Sequence, residues 1–300
     1  MRRLDVASVD FMLSILLVNW NTKDLLGACL ASIYSQPPTE PFEVIVVDNA
    51  SSDGSAEMVA EKFPQVELIL PGKNTGYAAG NNLAFAAAKG EWLLTLNPDT
   101  EIMKGAFDAA LQVLKAHPKA AALGVKQIGV DGKVQASVRG FPTLRGVLGD
   151  VTGLGKVFRR SKLGSYRLQD FDYELEQVAP QPMGTFLLFR RAALEAVGDP
   201  KKPFDEGFPI FFNEVDLLYR LKNAGWDCLY SPSATIKHFG GESTKQVKKN
   251  MIWESHRSLV RFFEKHYRTP GTAPFMPLFR GFVYLGAFVR ARGMHDGFQG

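Results

Sequence analysis

Apolar and polar positions fall in alternating blocks along the first third of the chain. LSILLV at 13–18 is a continuous apolar run, the pattern of a strand covered on both faces. TKDLLGACLASIYSQ follows, with Leu25, Leu26, Cys29, Leu30 and Ile33 at helical spacing and Thr22 placed as its N-cap. FEVIVVDN then reads as a strand, SSDGSAEMVAEKF as a capped helix and VELILP as a strand. GYAAGNNLAFAAAKG reads as a helix and EWLLTLNPD as a fourth strand. A βαβαβαβ order predicts an α/β fold with a mainly parallel, doubly wound sheet, helices on both faces and right-handed crossovers.

Beyond about residue 120 the rhythm changes. AALGVKQIGVDGKVQASVRG predicts a hairpin around Asp131-Gly132. Residues 140–176 are rich in Gly, Arg and Lys with weak periodicity, and read as a long mobile segment, a lid or an acceptor loop. GTFLLFRRAALEAVG is a strand running into a helix, FNEVDLLYRLKNAG a helix closed by Gly225, and WDCLYSPSATIKHFGG a strand-like return. Two amphipathic patterns, NMIWESHRSLVRFFEKHY and FMPLFRGFVYLGAFVRARG, end the chain.

Polar residues collect at the ends of the predicted strands: Asn19 and Asn21, Asp48 and Asn49, Asn74, then Asn97 and Asp99. In open α/β sheets ligands bind outside the carboxyl ends of the strands. Asn and Asp also favour turns for local reasons, but four such clusters in register point to a ligand crevice.

The segment FPIFFNEVDLLYR, 208–220, sets two carboxylates two residues apart behind an apolar cluster. On a helix from 213, Leu217, Leu218 and Leu221 share the core-facing stripe. Glu214 stands three and four residues before the leucine pair, at the entrance to that face. Asp216 points elsewhere, four residues before Arg220, where an i,i+4 ion pair is expected. This spacing makes Glu214 the reactive acid and Asp216, with Arg220, the structural pair. The first helical turn also favours an ionised carboxylate, the state that a general base needs.

Bulk properties narrow the field. The chain has 300 residues, a net charge of +4 and two cysteines, too few for a disulfide framework or a zinc site. A reducing, cytoplasmic setting is the expectation. From Lys237 to Arg268 eight Lys or Arg stand against three Glu; this strip reads as a solvated face or a contact with anionic lipid, and no nucleic-acid partner is expected. The N-terminal apolar run is short and interrupted by Asp5 and Asp10, a poor signal peptide, and no stretch approaches the roughly 20 apolar residues of a spanning helix.

LLVNWN, VIVVDNASSDGS, NTGYAAGNN and LNPDT, in this order, resemble the nucleotide-sugar half of the inverting family 2 glycosyltransferases. The stretch from GTFLLFRRAALEAVG to SATIKHFGG is similar to the acceptor half of their rhamnosyltransferase-like branch. The resemblance covers roughly 13–268 and implies a GT-A fold, a Rossmann-like, mainly parallel sheet with a C-terminal helical extension. It divides the chain into a nucleotide-sugar-binding half at 11–125, an acceptor-binding and catalytic half at 126–240, and the extension at 241–300.

Several roles follow from the resemblance. Asp48 would accept hydrogen bonds from the base or ribose, with Asn19, Asn74, Gly76, Asn82, Asn97 and Asp99 completing the donor site; Asp53 is expected to cap the next helix. LNPDT stands where relatives carry an Asp-x-Asp metal motif. With Asn97 in the first position, Asp99 is left as the charged ligand of a Mg²⁺ or Mn²⁺ ion, joined by His238. The relatives' Glu-Asp-x-Asp motif aligns with Asn213-Glu214-Val215-Asp216, which makes Glu214 the catalytic base. The sequence departs from the family here, since Glu214 is one methylene longer than the usual Asp and Asn213 replaces a Glu.

The implied activity is inverting, metal-dependent transfer of a sugar from dTDP-rhamnose or a UDP-sugar to a glycan or lipid-linked acceptor in cell-surface polysaccharide synthesis. A non-catalytic nucleotide-sugar or glycan-binding module is the alternative, kept open by Asn213-Glu214. The tail reads either as a peripheral membrane contact at the inner face of the membrane or as a helix pair packed on the domain or in a homodimer.

Overall fold

The computed structural model of the protein describes residues 13–144, 146–147, 168, 170–240 and 248–292. The poor leader at the N-terminus and most of the expected lid at 140–176 lie outside those residues.

The predicted alternation is present. Strand β1 (Leu13–Asn19), helix α1 (Lys23–Ser35), β2 (Phe42–Asp48), α2 (Ser55–Lys62), β3 (Glu67–Ile69), α3 (Tyr77–Ala87) and β4 (Trp92–Leu96) follow one another. Next come β5 (Thr100–Ile102), α4 (Ala106–Ala116), β6 (Ala120–Ile128), β7 (Val138–Arg139), β8 (Gln177–Val178) and β9 (Gln181–Pro182). The chain closes with β10 (Phe186–Arg190), α5 (Arg191–Glu195), α6 (Asn213–Asn223), β11 (Asp227–His238), α7 (Lys248–His266) and α8 (Met276–Arg292). One sheet runs β3-β2-β1-β4-β10-β6-β11-β5, with β8 added on β11. Strands β1 to β4 pair in parallel, and so do β6 and β11. Strand β10 runs antiparallel between β4 and β6, so it joins the two predicted halves into one sheet.

Every residue of β1 is buried, as its unbroken apolar run requires. Leu13, Ile15 and Leu17 pack with Leu26, Leu30 and Val59 on one face, together with Phe107 and Leu111 of α4. Leu16 and Val18 pack on the other with Phe85 of α3 and Leu217, Leu218 and Leu221 of α6. Each such side chain contributes roughly 1.5–3 kcal/mol relative to exposure. A third cluster, with Phe208, Val215, Phe262, Phe263, Phe279 and Val283, fastens α7 and α8 to the outer side of α6.

Two local expectations change. Thr22 precedes α1, but its side chain makes no capping bond; its hydroxyl donates instead to Asn19 Oδ1 at 2.6 Å, a stronger local competitor. The cap of α1 comes from a distant residue, since Asp53 Oδ2 accepts from the Lys23 backbone N–H at 2.8 Å. Asp53 also serves its own helix, with Oδ1 accepting from the Ser55 backbone N–H at 3.1 Å. The hairpin at Asp131-Gly132 forms as read, with Ile128 bridged to Val134 and Gly132 at φ 75°.

Candidate active site

The carboxyl ends of β1 and β2 lie side by side, with Asn19 opposite Asp48 in the parallel register. Both are buried. Asn19 Nδ2 donates to Asp48 Oδ1 at 2.8 Å, while the Ser51 hydroxyl and backbone N–H donate to Oδ1 and Oδ2 at 2.7 and 2.9 Å. Asp48 is thus held in one orientation as a hydrogen-bond acceptor at the strand end. Asn49, next in the chain, donates to Gly76 O at 3.0 Å and accepts from the Thr75 hydroxyl at 2.9 Å, tying the β2 end to the start of α3.

The NTGYAAGNN segment divides into different jobs. Asn74 is exposed, and its Oδ1 accepts from the Gly76 backbone N–H at 2.9 Å, closing the turn before α3. Gly76 has φ 85°, and a Cβ there would lie 3.1 Å from Pro209 O, so the backbone conformation and the contact with 209 both favour glycine. Asn82 turns away from the strand ends: Nδ2 donates to Phe204 O and Glu206 Oε1, both at 3.0 Å, and Oδ1 accepts from the Phe204 N–H at 3.1 Å. Its amide is committed to anchoring the 204–206 loop. Tyr77, in the same segment, is the residue that joins the neighbouring parts. Its hydroxyl donates to Asn97 Oδ1 at 3.2 Å, and burial followed by the charge of Glu214 pushes its pKa well up.

Asp99 and His238 meet across the β5–β11 edge. His238 Nε2 lies 3.6 Å from Asp99 Oδ2, and the Phe239 N–H donates to Asp99 O at 2.9 Å. Gln135 fixes the imidazole. Its Nε2 donates to the His238 carbonyl at 3.1 Å, which aims Oε1 at Nδ1, 2.8 Å away. An amide oxygen accepts, so Nδ1 is the donor of this bond, and Nε2 is the ring nitrogen that faces the Asp99 carboxylate. An imidazole nitrogen and a carboxylate oxygen that face one another can share a proton or a cation. Asp99 and His238 are the residues here that would hold a divalent ion such as Mn²⁺ or Mg²⁺. No group of three or more His, Cys, Asp or Glu side chains able to hold a metal occurs among the described residues. A bound ion would therefore complete its shell with water and substrate oxygens.

Glu214 occupies the first turn of α6. Phe212, just before it, is forced to φ 67°, a rare conformation for a bulky residue. Asn213 holds this turn while fully buried, donating from Nδ2 to Ile210 O and accepting from the Glu214 N–H, both at 2.8 Å. A glutamate at 213 has no N–H to give Ile210, so asparagine suits this turn. Glu214 itself is half-buried and lines a cavity of about 1190 Å³. Burial raises its pKa above the ordinary range, partly offset by its own backbone N–H, the charge of Arg139 and the Val215 N–H. A Cβ on Gly184 would lie 3.8 Å from both Glu214 Cγ and the Tyr77 hydroxyl, so Tyr77 and Glu214 flank one gap.

Asp216 is the more buried of the two carboxylates, at 0% exposure. Spacing points it away from the leucine stripe, but α7 covers that side too. Its Oδ2 accepts from Arg220 Nε at 2.9 Å, the expected i,i+4 pair, and Oδ1 lies 2.7 Å from both His266 Nε2 and Lys265 Nζ. Burial opposes ionisation, yet the His266 and Lys265 hydrogen bonds and the Arg220 charge outweigh it and hold the carboxyl at about 2.

A sequence profile described as Glycosyl transferase family 2 matches residues 14–198, more than half of the chain. The chain belongs to that family. An N-acetylglucosaminyl-diphospho-decaprenol L-rhamnosyltransferase of Mycobacterium tuberculosis is 30% identical over 293 residues, which cover 94% of this glycosyltransferase and 93% of the relative. Among solved structures, the Pyrobaculum calidifontis mannosyltransferase PcManGT, in complex with GDP-Man and Mn²⁺, aligns with a TM-score of 0.57 at 18% identity. That alignment covers 99% of this chain and 80% of PcManGT. TarS 1–349 of S. aureus aligns at 0.54 and 17% identity, covering 94% and 82%. These likenesses establish the GT-A fold for this family 2 glycosyltransferase.

Within the glycosyltransferase, the structure gathers Glu214, Tyr77, Asn97, Asp99 and His238 around the β4 and β11 ends, with Asp48 and Asn19 at the neighbouring strand ends. Asn82 is directed elsewhere. Sequence reasoning quoted Tyr77 without giving it a role and passed over Gln135. A tyrosine between two glycines at a helix start was a readable signal. Gln135, in an unremarkable stretch 103 residues from His238, offered none.

Proposed function

We propose that this glycosyltransferase moves a sugar from a nucleoside diphosphate donor to a hydroxyl of a lipid-linked acceptor by single displacement with inversion. The observation that carries the reading is the placement of Glu214. It is a half-buried carboxylate of raised pKa, facing a large cavity on one side and sharing a gap with Tyr77 beside Asn97 on the other. Glu214 accepts the proton of the acceptor hydroxyl as that oxygen attacks the anomeric carbon. Asp48, oriented by Asn19 and Ser51, receives hydrogen bonds from the donor's base or ribose. Asp99 and His238 are the residues that would hold Mg²⁺ or Mn²⁺; when bound, such an ion supplies Lewis-acid stabilisation of the departing diphosphate.

The mycobacterial relative is named for transfer of L-rhamnose to N-acetylglucosaminyl-diphospho-decaprenol, which supports dTDP-rhamnose as donor and a polyprenyl-diphosphate-linked sugar as acceptor. UDP-sugars are the competing donors. The setting is cell-surface polysaccharide synthesis at the inner face of the membrane. No helix among the described residues is long and apolar enough to cross a bilayer. Helix α8 exposes Leu278, Leu285, Phe288 and Val289 and carries three arginines and no acid, which supports peripheral contact with an anionic surface.

A donor panel tests the reading: dTDP-rhamnose, UDP-GlcNAc, UDP-galactose, UDP-glucose and GDP-mannose, with nucleoside diphosphate release followed in Mn²⁺ or Mg²⁺. Release from one donor, lost in Asp99→Ala and Glu214→Gln, is expected. Tight donor binding with no release, whatever acceptor is supplied, would instead favour a binding module.

A further inference from the structure

The cavity beside Glu214 carries more than the base. Gln181 on β9 lines it and faces Arg139 across the β7–β9 ladder. Strand β9 lies tight against β6, since a Cβ on Gly124 would come within 2.4 Å of Pro182 Cβ, so Gln181 has little freedom to shift. Gln181 is 4% exposed, and its Oε1 is buried with no hydrogen-bond partner. Buried amide oxygens are almost always satisfied, so this orphan is a spare acceptor on a residue of the cavity wall. Two guanidinium groups share the same cavity, Arg139 from β7 and Arg290 from α8. Neither has an ion-pair partner among the described residues. Apolar side chains line it as well, Leu259 from α7 and Phe282, Val283 and Val289 from α8. At about 1190 Å³ the space exceeds the roughly 300–1,000 Å³ of ordinary small-ligand pockets, more room than a single sugar fills.

We propose that this cavity is the acceptor site and is built for a sugar carried on a lipid diphosphate. Gln181 Oε1 accepts a hydrogen bond from an O–H or N–H of the sugar, Arg139 and Arg290 bind the diphosphate, and the α7–α8 wall holds the first isoprenoid units. The inference rests on the transferase reading above and assigns the acceptor's three chemical parts to named residues. Charge complementarity carries it: a diphosphate brings negative charge on paired oxygens, and guanidinium forks bind such oxygens bidentately. The apolar wall continues outward, because Leu285 both lines the cavity and is exposed, so a long lipid can leave along α8.

Calorimetry on the full chain, with its nucleotide site saturated by a nucleoside diphosphate, tests the assignment. Farnesyl diphosphate is expected to bind at least about tenfold more tightly than farnesol or pyrophosphate. Arg139→Gln and Arg290→Gln should each weaken it by about tenfold, while nucleotide binding stays at the wild-type value. Farnesyl-diphospho-N-acetylglucosamine should bind more tightly than farnesyl diphosphate in wild type but not in Gln181→Leu. Equal affinity for pyrophosphate and farnesyl diphosphate, unchanged affinity in both arginine variants, or a parallel loss of nucleotide binding would each overturn the proposal. A wild-type chain that binds nucleotide but not farnesyl diphosphate would overturn it while leaving the transferase reading in place.

Discussion

The imidazole of His238 is clamped by the amide of Gln135, whose Oε1 takes the Nδ1 proton at 2.8 Å while its Nε2 holds the His238 carbonyl at 3.1 Å. One side chain thus sets the tautomer and the ring orientation together, leaving Nε2 directed at Asp99. Removing the clamp in Gln135→Ala is expected to weaken Mn²⁺ binding by about 10–100-fold, the range found when ligand-orienting partners are lost. Electron paramagnetic resonance of free Mn²⁺ during titration, with the nucleoside diphosphate present, reads this without turnover. Affinity equal to wild type would show that the ring needs no support.

Glu214→Gln is expected to lower transfer by at least about 10²-fold, in line with the loss of a general base. Stability should not fall. Burial raises the folded pKa of this carboxyl, so ionising it above that pKa opposes folding, and the neutral amide removes the opposition. A thermal midpoint at pH 7.5 equal to or above wild type is the expected result; a drop of several degrees would make Glu214 a structural residue.

The pH profile follows from the same environment. The acid limb of kcat/KM should turn at a pH above that of an ordinary glutamate, because Glu214 must lose its proton to act. Arg139 lowers this pKa, so Arg139→Gln should move the limb to higher pH. Movement to lower pH would contradict the arrangement.

Asp216 predicts the acid stability of the fold. Its folded pKa of about 2 lies below the usual value near 3.9, so its contribution is fully present above about pH 4 and is lost as pH falls towards 2. The amount is roughly 2 kcal/mol. Asp216→Asn leaves Arg220, Lys265 and His266 facing a neutral amide and should cost about 3 kcal/mol at pH 7, read by urea unfolding. The variant should also lose most of the pH dependence between 4 and 2. An unchanged slope there would assign that window to other carboxylates.

Helix α8 is expected to bring the protein to vesicles containing anionic lipid but not to neutral ones, with binding reduced by salt. Replacing Leu278, Leu285 and Val289 by serine, all exposed, should abolish flotation without unfolding the chain. Flotation that survives these changes would place the contact elsewhere.

Much of this was decided locally. The apolar run of β1, the helical spacing of α1 and α6 and the asparagines and aspartates at strand ends are properties of neighbouring residues, and periodicity reports them directly. The same holds for Glu214 and for the Asp216–Arg220 pair, one helical turn apart. Where a residue serves otherwise than its spacing suggests, another partner has claimed it, near in the chain for Thr22 and distant for Asn82 and Asp216. Thr22 gave up its cap to Asn19 while Asp53, 30 residues on, supplied one; Asn82 was drawn to the 204–206 loop. Asp216 was buried by α7, which arrives 50 residues later in the chain.

The sequence by itself determined the α/β alternation, the polar residues at the strand ends and the place of Glu214 in the first turn of α6. These depend on hydrogen bonding and burial within a turn or a strand. Only the tertiary structure decided that Gln135 orients His238, that Tyr77 stands between Asn97 and Glu214, and that Gln181, Arg139 and Arg290 share one cavity. Such contacts join residues far apart in the chain, and no local periodicity encodes which side chains close packing will bring within 3 Å of one another.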